Sequence, residues 1–146
     1  ICLQRMFAVN VTGAYLVARE TARRMGTDRG GKGGSLVNLS SAAARLGSPN
    51  EYVDYAGSKG AIDVMTIGLS KELAPVGIRV NAIRPGLIDT EIHASGGEPN
   101  RAFRLAVNVP LARPGTADEV ANAVIWLLSD ESAYVTGALL DVSGGR

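Results

Sequence analysis

Three short apolar runs constrain the fold more than any other feature: SLVNL (35–39), IRVNAI (78–83) and ALLDV (138–142). Each follows a glycine and ends at small or polar residues, as a buried strand does. Each is also preceded by a stretch of helical period. The resulting order is helix, strand, helix, strand, helix, strand. Consecutive strands separated by a helix pair in parallel through right-handed crossovers, with helices on both faces of the sheet. The expected class is therefore α/β, one doubly wound parallel sheet in a single domain over residues 1–146.

Local signals place the helices. From about Leu3 to Met25, apolar residues recur at Phe7, Val11, Ala14 and Ala18, which predicts one helix, followed by the loop GTDRGGKGG. Ser48-Pro49-Asn50-Glu51 has an N-cap serine, proline at the first helical position and glutamate three residues after the cap. The helix it predicts carries Tyr55 and Lys59, buries Ala61, Met65, Leu69 and Leu73, and stops before Pro75. Thr116-Ala117-Asp118-Glu119 is a second capping box, opening a helix with Val120, Val124, Leu127 and Leu128 on one side. Between them, residues 89–114 show no strong period. So long a connection predicts a binding loop or lid.

Composition narrows the function. The net charge is +1, which gives no reason to expect a nucleic-acid or membrane-surface partner. Arg19, Arg23 and Arg24 fit the solvated face and basic last turn of a helix. Cys2 is the one cysteine, so no internal disulfide can form and a reducing compartment, the cytoplasm, is expected. No apolar stretch has transmembrane length.

The chemistry concentrates at Tyr55 and Lys59. Four residues apart on a helix they share a face, which sets an ammonium beside a phenol. Bringing a phenol from a pKa of about 10 to neutrality takes roughly 3 units, or about 4 kcal/mol. A neighbouring positive charge supplies roughly 1–3 units, so lysine is expected to lower Tyr55 and a cationic cofactor to complete the shift. The pair Ser40-Ser41 ends one strand and Pro85-Gly86 the next, with Thr90 shortly after. Ligands of open α/β sheets bind at that rim.

Other motifs carry less. Gly26 to Lys32 spells a P-loop up to its lysine, but Gly33 occupies the Mg²⁺-binding Ser/Thr position and a strand follows instead of a helix, so a surface loop is expected. Asn10-Val11-Thr12 and Asn38-Leu39-Ser40 spell glycosylation sequons inside predicted regular elements. His93 is the sole histidine and has no metal-ligand cluster near it in sequence.

The segments NVTGAYLVARE, VNLSSAAARLG, EYVDYAGSKGAID, GIRVNAIRPGLIDTEI and ADEVANAVIWLLSDESAYVTGALLDVSGG together resemble the short-chain dehydrogenase/reductase family. The resemblance covers nearly the whole chain in the order of that family's C-terminal half, and implies the corresponding half of a Rossmann-like sheet. It implies an oxidoreductase acting between NAD or NADP and a small alcohol or ketone, with subunits associating as dimers or tetramers. Tyr55 would be the general acid/base, Lys59 its partner and a ligand of the nicotinamide ribose, and Ser41 the group polarising the substrate oxygen. Asn10 resembles the asparagine that holds a water behind the lysine. Pro85, Gly86, Ile88 and Thr90 match the stretch that meets the carboxamide and phosphates, and the loop over about 90–114 would cover substrate.

That family's first half carries a glycine-rich pyrophosphate turn after a strand, and no such turn occurs in this sequence. Two accounts stay open on sequence grounds: a piece of a longer enzyme, or a truncated binding or oligomerisation module of the same fold.

Overall fold

The computed structural model describes residues 3–91, 97–98 and 100–146. In chain order it contains α1 (Leu3–Phe7), a π-helical turn (Ala8–Gly13), α2 (Ala14–Met25), β1 (Gly34–Leu39), α3 (Ala43–Leu46), α4 (Val53–Leu73) and β2 (Ile78–Pro85). There follow β3 (Ile88–Asp89), α5 (Arg101–Leu105), β4 (Gly115–Thr116), α6 (Ala117–Leu128) and β5 (Leu139–Val142).

The main sheet runs β1-β2-β5, all parallel, with Gly34 opposite Ile78, Leu39 opposite Ile83, Ala82 opposite Leu139 and Pro85 opposite Val142. The α/β class with a parallel sheet is as expected. Central β2 is the most deeply covered element: Ile78, Val80, Ala82 and Ile83 are all buried. Successive strand residues point to opposite faces. Leu36 packs with Ala18, Ile62, Met65 and Leu69 of α2 and α4, whereas its neighbour Ser35 donates to the Leu127 carbonyl of α6. Helices therefore cover both faces.

Three local expectations need correction. The first helix is not continuous, because the π-turn over Ala8–Gly13 interrupts it. This stretch combines β-branched Val9, Val11 and Thr12 with Gly13, all weaker helix formers than alanine. On α2 only Ala18 is buried. The second helix does not start at Ser48: Ser48 and Asn50 have φ of 45° and 60°, and the Ser48 carbonyl accepts from the Glu51 and Tyr52 amides. A left-handed backbone cannot lead directly into a helix, so the chain turns first and α4 begins at Val53. Along α4, Met65 is buried and Leu69 and Leu73 are half-buried, but the polar Ser58, Asp63, Thr66 and Ser70 are buried as well. Thr66, for example, donates to the Ile62 carbonyl and accepts from Asn38 of β1.

The third correction concerns the long connection, which has structure of its own. Its two ends pair as β3 and β4, with Ile88 opposite Gly115, and α5 lies between them. His93 and Cys2 fall outside the described residues. The glycine-rich stretch 26–34 forms a 3₁₀ turn over Thr27–Arg29 and leads into β1, a loop and not a phosphate cradle. At Gly33, φ is +76° and a Cβ would come within 2.4 Å of the Gly77 carbonyl oxygen, so only glycine fits. Both sequon asparagines are occupied: Asn10 donates to Ser58 and Asn38 to Thr66.

The capping box at α6 is formed in full. The Thr116 hydroxyl accepts from the Glu119 amide, the Glu119 carboxylate accepts from the Thr116 amide at 2.8 Å, and Arg113 pairs with that carboxylate at 2.6 Å. Arg113, then the Thr116 amide, hold the Glu119 carboxyl down to about 2 from its ordinary 4.5. A carboxyl depressed in the folded state adds stability above its unfolded pKa and loses it as pH falls through the folded one. In denaturant titrations, Glu119→Gln is therefore expected to be less stable than the parent near neutral pH, with the gap closing between pH 4.5 and 2. A gap independent of pH would refute this account of the cap.

Candidate active site

The carboxyl ends of β1 and β2 meet the first turns of α4. Beyond β1, the Ser40 amide donates to the Ile83 carbonyl and the Ala42 amide to the Pro85 carbonyl, which carries the strand pairing into the loop. Ser40 is buried, and its hydroxyl donates to the Lys59 main-chain carbonyl at 3.1 Å. Lys59 answers with its side chain, Nζ donating to the Leu39 carbonyl at 2.8 Å. These two bonds fix α4 on the end of β1.

Ser41 points the other way from Ser40. Its Oγ accepts from the Ala43 amide at 3.1 Å, and its hydroxyl lies close enough to the Tyr55 phenol to favour the phenolate. The Lys59 ammonium lies 5.7 Å from the centroid of the Tyr55 ring. Ser41, Tyr55 and Lys59 thus form one half-buried cluster.

Asn10 joins through an intermediary. Its Nδ2 donates to Ser58 Oγ at 3.0 Å, and Ser58 donates to the Tyr55 main-chain carbonyl at 2.7 Å. Nothing in the sequence singled out Ser58; a small polar residue one turn after a functional tyrosine was the available signal. The π-turn that carries Asn10 matches the tendency of such turns to occur at functional positions.

Pro85 closes β2, and the Gly86 amide donates to the Val142 carbonyl at 3.0 Å. A Cβ on Gly86 would stand 2.7 Å from the Ser143 Cα, so a side chain there would pry β2 from β5. Ile88 is half-buried in β3, and Thr90 lies exposed just beyond it. Neither belongs to the Ser41–Tyr55–Lys59 cluster itself; they follow the Pro85-Gly86 turn along the rim.

The electrostatics depart from the sequence expectation. Burial raises the Tyr55 phenol above its ordinary 10.0, and the Ser41 hydroxyl only partly opposes this. Burial also lowers Lys59 below 10.5, with the charge of Asp63 acting against it. The ammonium faces the Leu39 carbonyl, and what Tyr55 gains from it does not outweigh loss of water. At neutral pH the phenol therefore keeps its proton.

Asp63 and Arg84 also went unmarked in the sequence. Arg84 Nε and Nη2 donate to the same oxygen, Asp63 Oδ2, at 3.0 and 2.8 Å. Among the described residues no group of three or more His, Cys, Asp or Glu is arranged to hold a metal ion.

Comparison with known proteins identifies the family of the chain. A family model described as Enoyl-(Acyl carrier protein) reductase matches residues 2–146. The chain is 58% identical over 144 residues to the uncharacterized oxidoreductase YgfF of Escherichia coli K12, covering 99% of this chain and 58% of that protein. It is 40% identical over 144 residues to an L-xylulose reductase of Caenorhabditis elegans, covering 98% and 56%. Among solved structures, a short-chain type dehydrogenase/reductase from Mycobacterium ulcerans superposes with a TM-score of 0.84 at 36% identity, over 98% of this chain and 51% of that one. An NAD+-bound xylitol dehydrogenase gives 0.83 at 35%, over 98% and 59%. The chain belongs to the short-chain dehydrogenase/reductase family. It spans between half and three-fifths of the length of these relatives.

The burial of Tyr55 can be read directly. Spectrophotometric titration of the parent should contain a phenol component raised above the ordinary range, and Tyr55→Phe should remove it. If the highest-titrating component survives the substitution, the assignment fails.

Proposed function

We propose that this chain carries the proton-transfer half of an NAD(P)-dependent dehydrogenase/reductase acting on a small alcohol or ketone. The observation that supports this best is the convergence of Ser41, Tyr55 and Lys59 at the carboxyl rim of a parallel sheet. Relatives named as L-xylulose reductase and glucose 1-dehydrogenase, and the NAD+-bound xylitol dehydrogenase structure, support the same substrate and cofactor class.

The residues present fit the nicotinamide–ribose end of such a cofactor. An ammonium has three donors, and Lys59 uses one on Leu39, which leaves two for ribose hydroxyls. Pro85, Gly86, Ile88 and Thr90 border the same rim. Bound there, a nicotinamide would supply hydride chemistry that no side chain can.

The chain's own residues handle the oxygen. Negative charge grows on a carbonyl oxygen as it is reduced, and hydroxyl donors aimed at that position stabilise it. The Ser41 and Tyr55 hydroxyls are neighbours in one cluster and so can meet one oxygen together. Tyr55, protonated at neutral pH, hands over its proton as the charge builds. Asn10 and Ser58 hold the turn of α4 that bears the tyrosine. The connection over about 90–114 is read as the substrate cover; its residues 92–96 and 99 lie outside the described residues, and Arg101 of α5 pairs with Glu51 ahead of α4.

The same reading places the protein in the cytoplasm as a dimer or tetramer. Exposed apolar side chains on both outer layers, among them Val17, Val64 and Ile125, favour association. Among the described residues no helix is long and apolar enough to cross a membrane.

The test uses the chain expressed with all coding sequence continuous with it. NAD(P)H oxidation is followed against a panel of ketones and ketoses. Tyr55→Phe is expected to lower kcat by about 10²–10⁴-fold, and Ser41→Ala by roughly 10²–10³-fold. Undiminished turnover in Tyr55→Phe would remove the tyrosine from the mechanism.

A further inference from the structure

One buried ion pair has no part in the chemistry above. Asp63 lies on α4 one turn beyond Lys59, hence on the same helix face. It is 6% exposed, and the Arg84 side chain 16%. Arg84 occupies the position of β2 directly before the Pro85-Gly86 turn. Two of its three donor nitrogens, Nε and Nη2, go to Asp63 Oδ2, while the buried Oδ1 has no hydrogen-bond partner. A buried carboxylate oxygen without a donor is costly, and such a group calls for an explanation beyond packing.

We propose that Asp63, locked in place by Arg84, is a positioning residue that acts on the reaction through Lys59. The pair has two ends. Arg84 draws α4 onto β2 next to the turn expected to face the cofactor, so the tyrosine–lysine turn and the glycine turn are set against each other. The carboxylate meanwhile supplies the negative charge one turn below the ammonium.

Lys59 needs that charge. It is half-buried, its ammonium donates to the neutral Leu39 carbonyl, and burial drives it toward the uncharged amine. Asp63 is the group that opposes this. The other titratable or charged groups around it are Tyr55 on its own helix, protonated at neutral pH, and Arg84 on β2. The carboxylate stands one helical turn from the ammonium, and no donor is bonded to its Oδ1. A pair bonded at both oxygens would serve a purely structural role as well or better.

The inference rests on the role proposed for Lys59, but its test does not depend on turnover. Lysine labelled with ¹³C and ¹⁵N would be incorporated into the protein, expressed as above, and the Lys59 signal assigned by its loss in Lys59→Arg. Asp63→Asn keeps the shape and is expected to lower the Lys59 titration midpoint by about 1 unit. Thr66→Val, which breaks the neutral bond to Asn38 one turn further along, should leave the midpoint in place. Should Asp63→Asn fail to fold, the double variant Asp63→Asn/Arg84→Gln removes both charges, and a smaller fall in the same direction is expected. An unmoved midpoint in a folded Asp63 variant, or an equal fall in Thr66→Val, overturns the proposal. If the midpoint falls while turnover proves indifferent to Tyr55 and Lys59, the proposed function fails and the Asp63–Lys59 coupling stands.

Discussion

Lys59 is tied to the end of β1 twice, once by each kind of atom it owns. Its backbone carbonyl accepts from Ser40 and its ammonium donates to the Leu39 carbonyl. Neighbouring groups on one strand thus hold one helical residue from two sides, which fixes the rotation of α4 as well as its height. Tyr55 lies one turn earlier on the same face, so its position against Ser41 follows from that double tie. The parallel register of β1 and β2 continues past the strand ends through the Ser40 and Ala42 amides, which keeps the loop bearing Ser41 from drifting.

This placement has an electrostatic cost. Burial pushes the phenol up and the ammonium down, each toward its neutral form. A site left in that condition holds its phenolic proton tightly and seldom presents the phenolate that could act as a base. Asp63 on one side of Lys59 favours the ammonium, and a positively charged nicotinamide, were one bound, would favour the phenolate. The cluster is best understood as one whose proton affinity is set by what surrounds it, not by the two residues alone.

Much of this could be read from the chain. Strand positions followed from SLVNL, IRVNAI and ALLDV, because apolar runs that short have few other uses, and the α6 cap followed from Thr116 and Glu119. The α4 start did not, since Ser48-Pro49-Asn50-Glu51 has the residues of a cap while its backbone is left-handed at two positions. The π-turn was invisible, because a period drawn through Phe7, Val11, Ala14 and Ala18 assumes uniform winding. Asp63 and Arg84 were missed for a different reason. Charged residues are ordinarily placed on the solvent face, and only tertiary pairing between α4 and β2 buries them. The direction of the Tyr55 shift was misjudged because helical spacing gives proximity to Lys59 but says nothing of lost water.

The chain of bonds from Asn10 to Ser58 to the Tyr55 carbonyl has a directional character. Each hydroxyl or amide hydrogen in it points toward the tyrosine's backbone, and the final acceptor is an amide oxygen that holds no hydrogen to pass on. Such a series can transmit alignment but cannot conduct. Asn10 and Ser58 thus set where the Tyr55 backbone sits without carrying its proton.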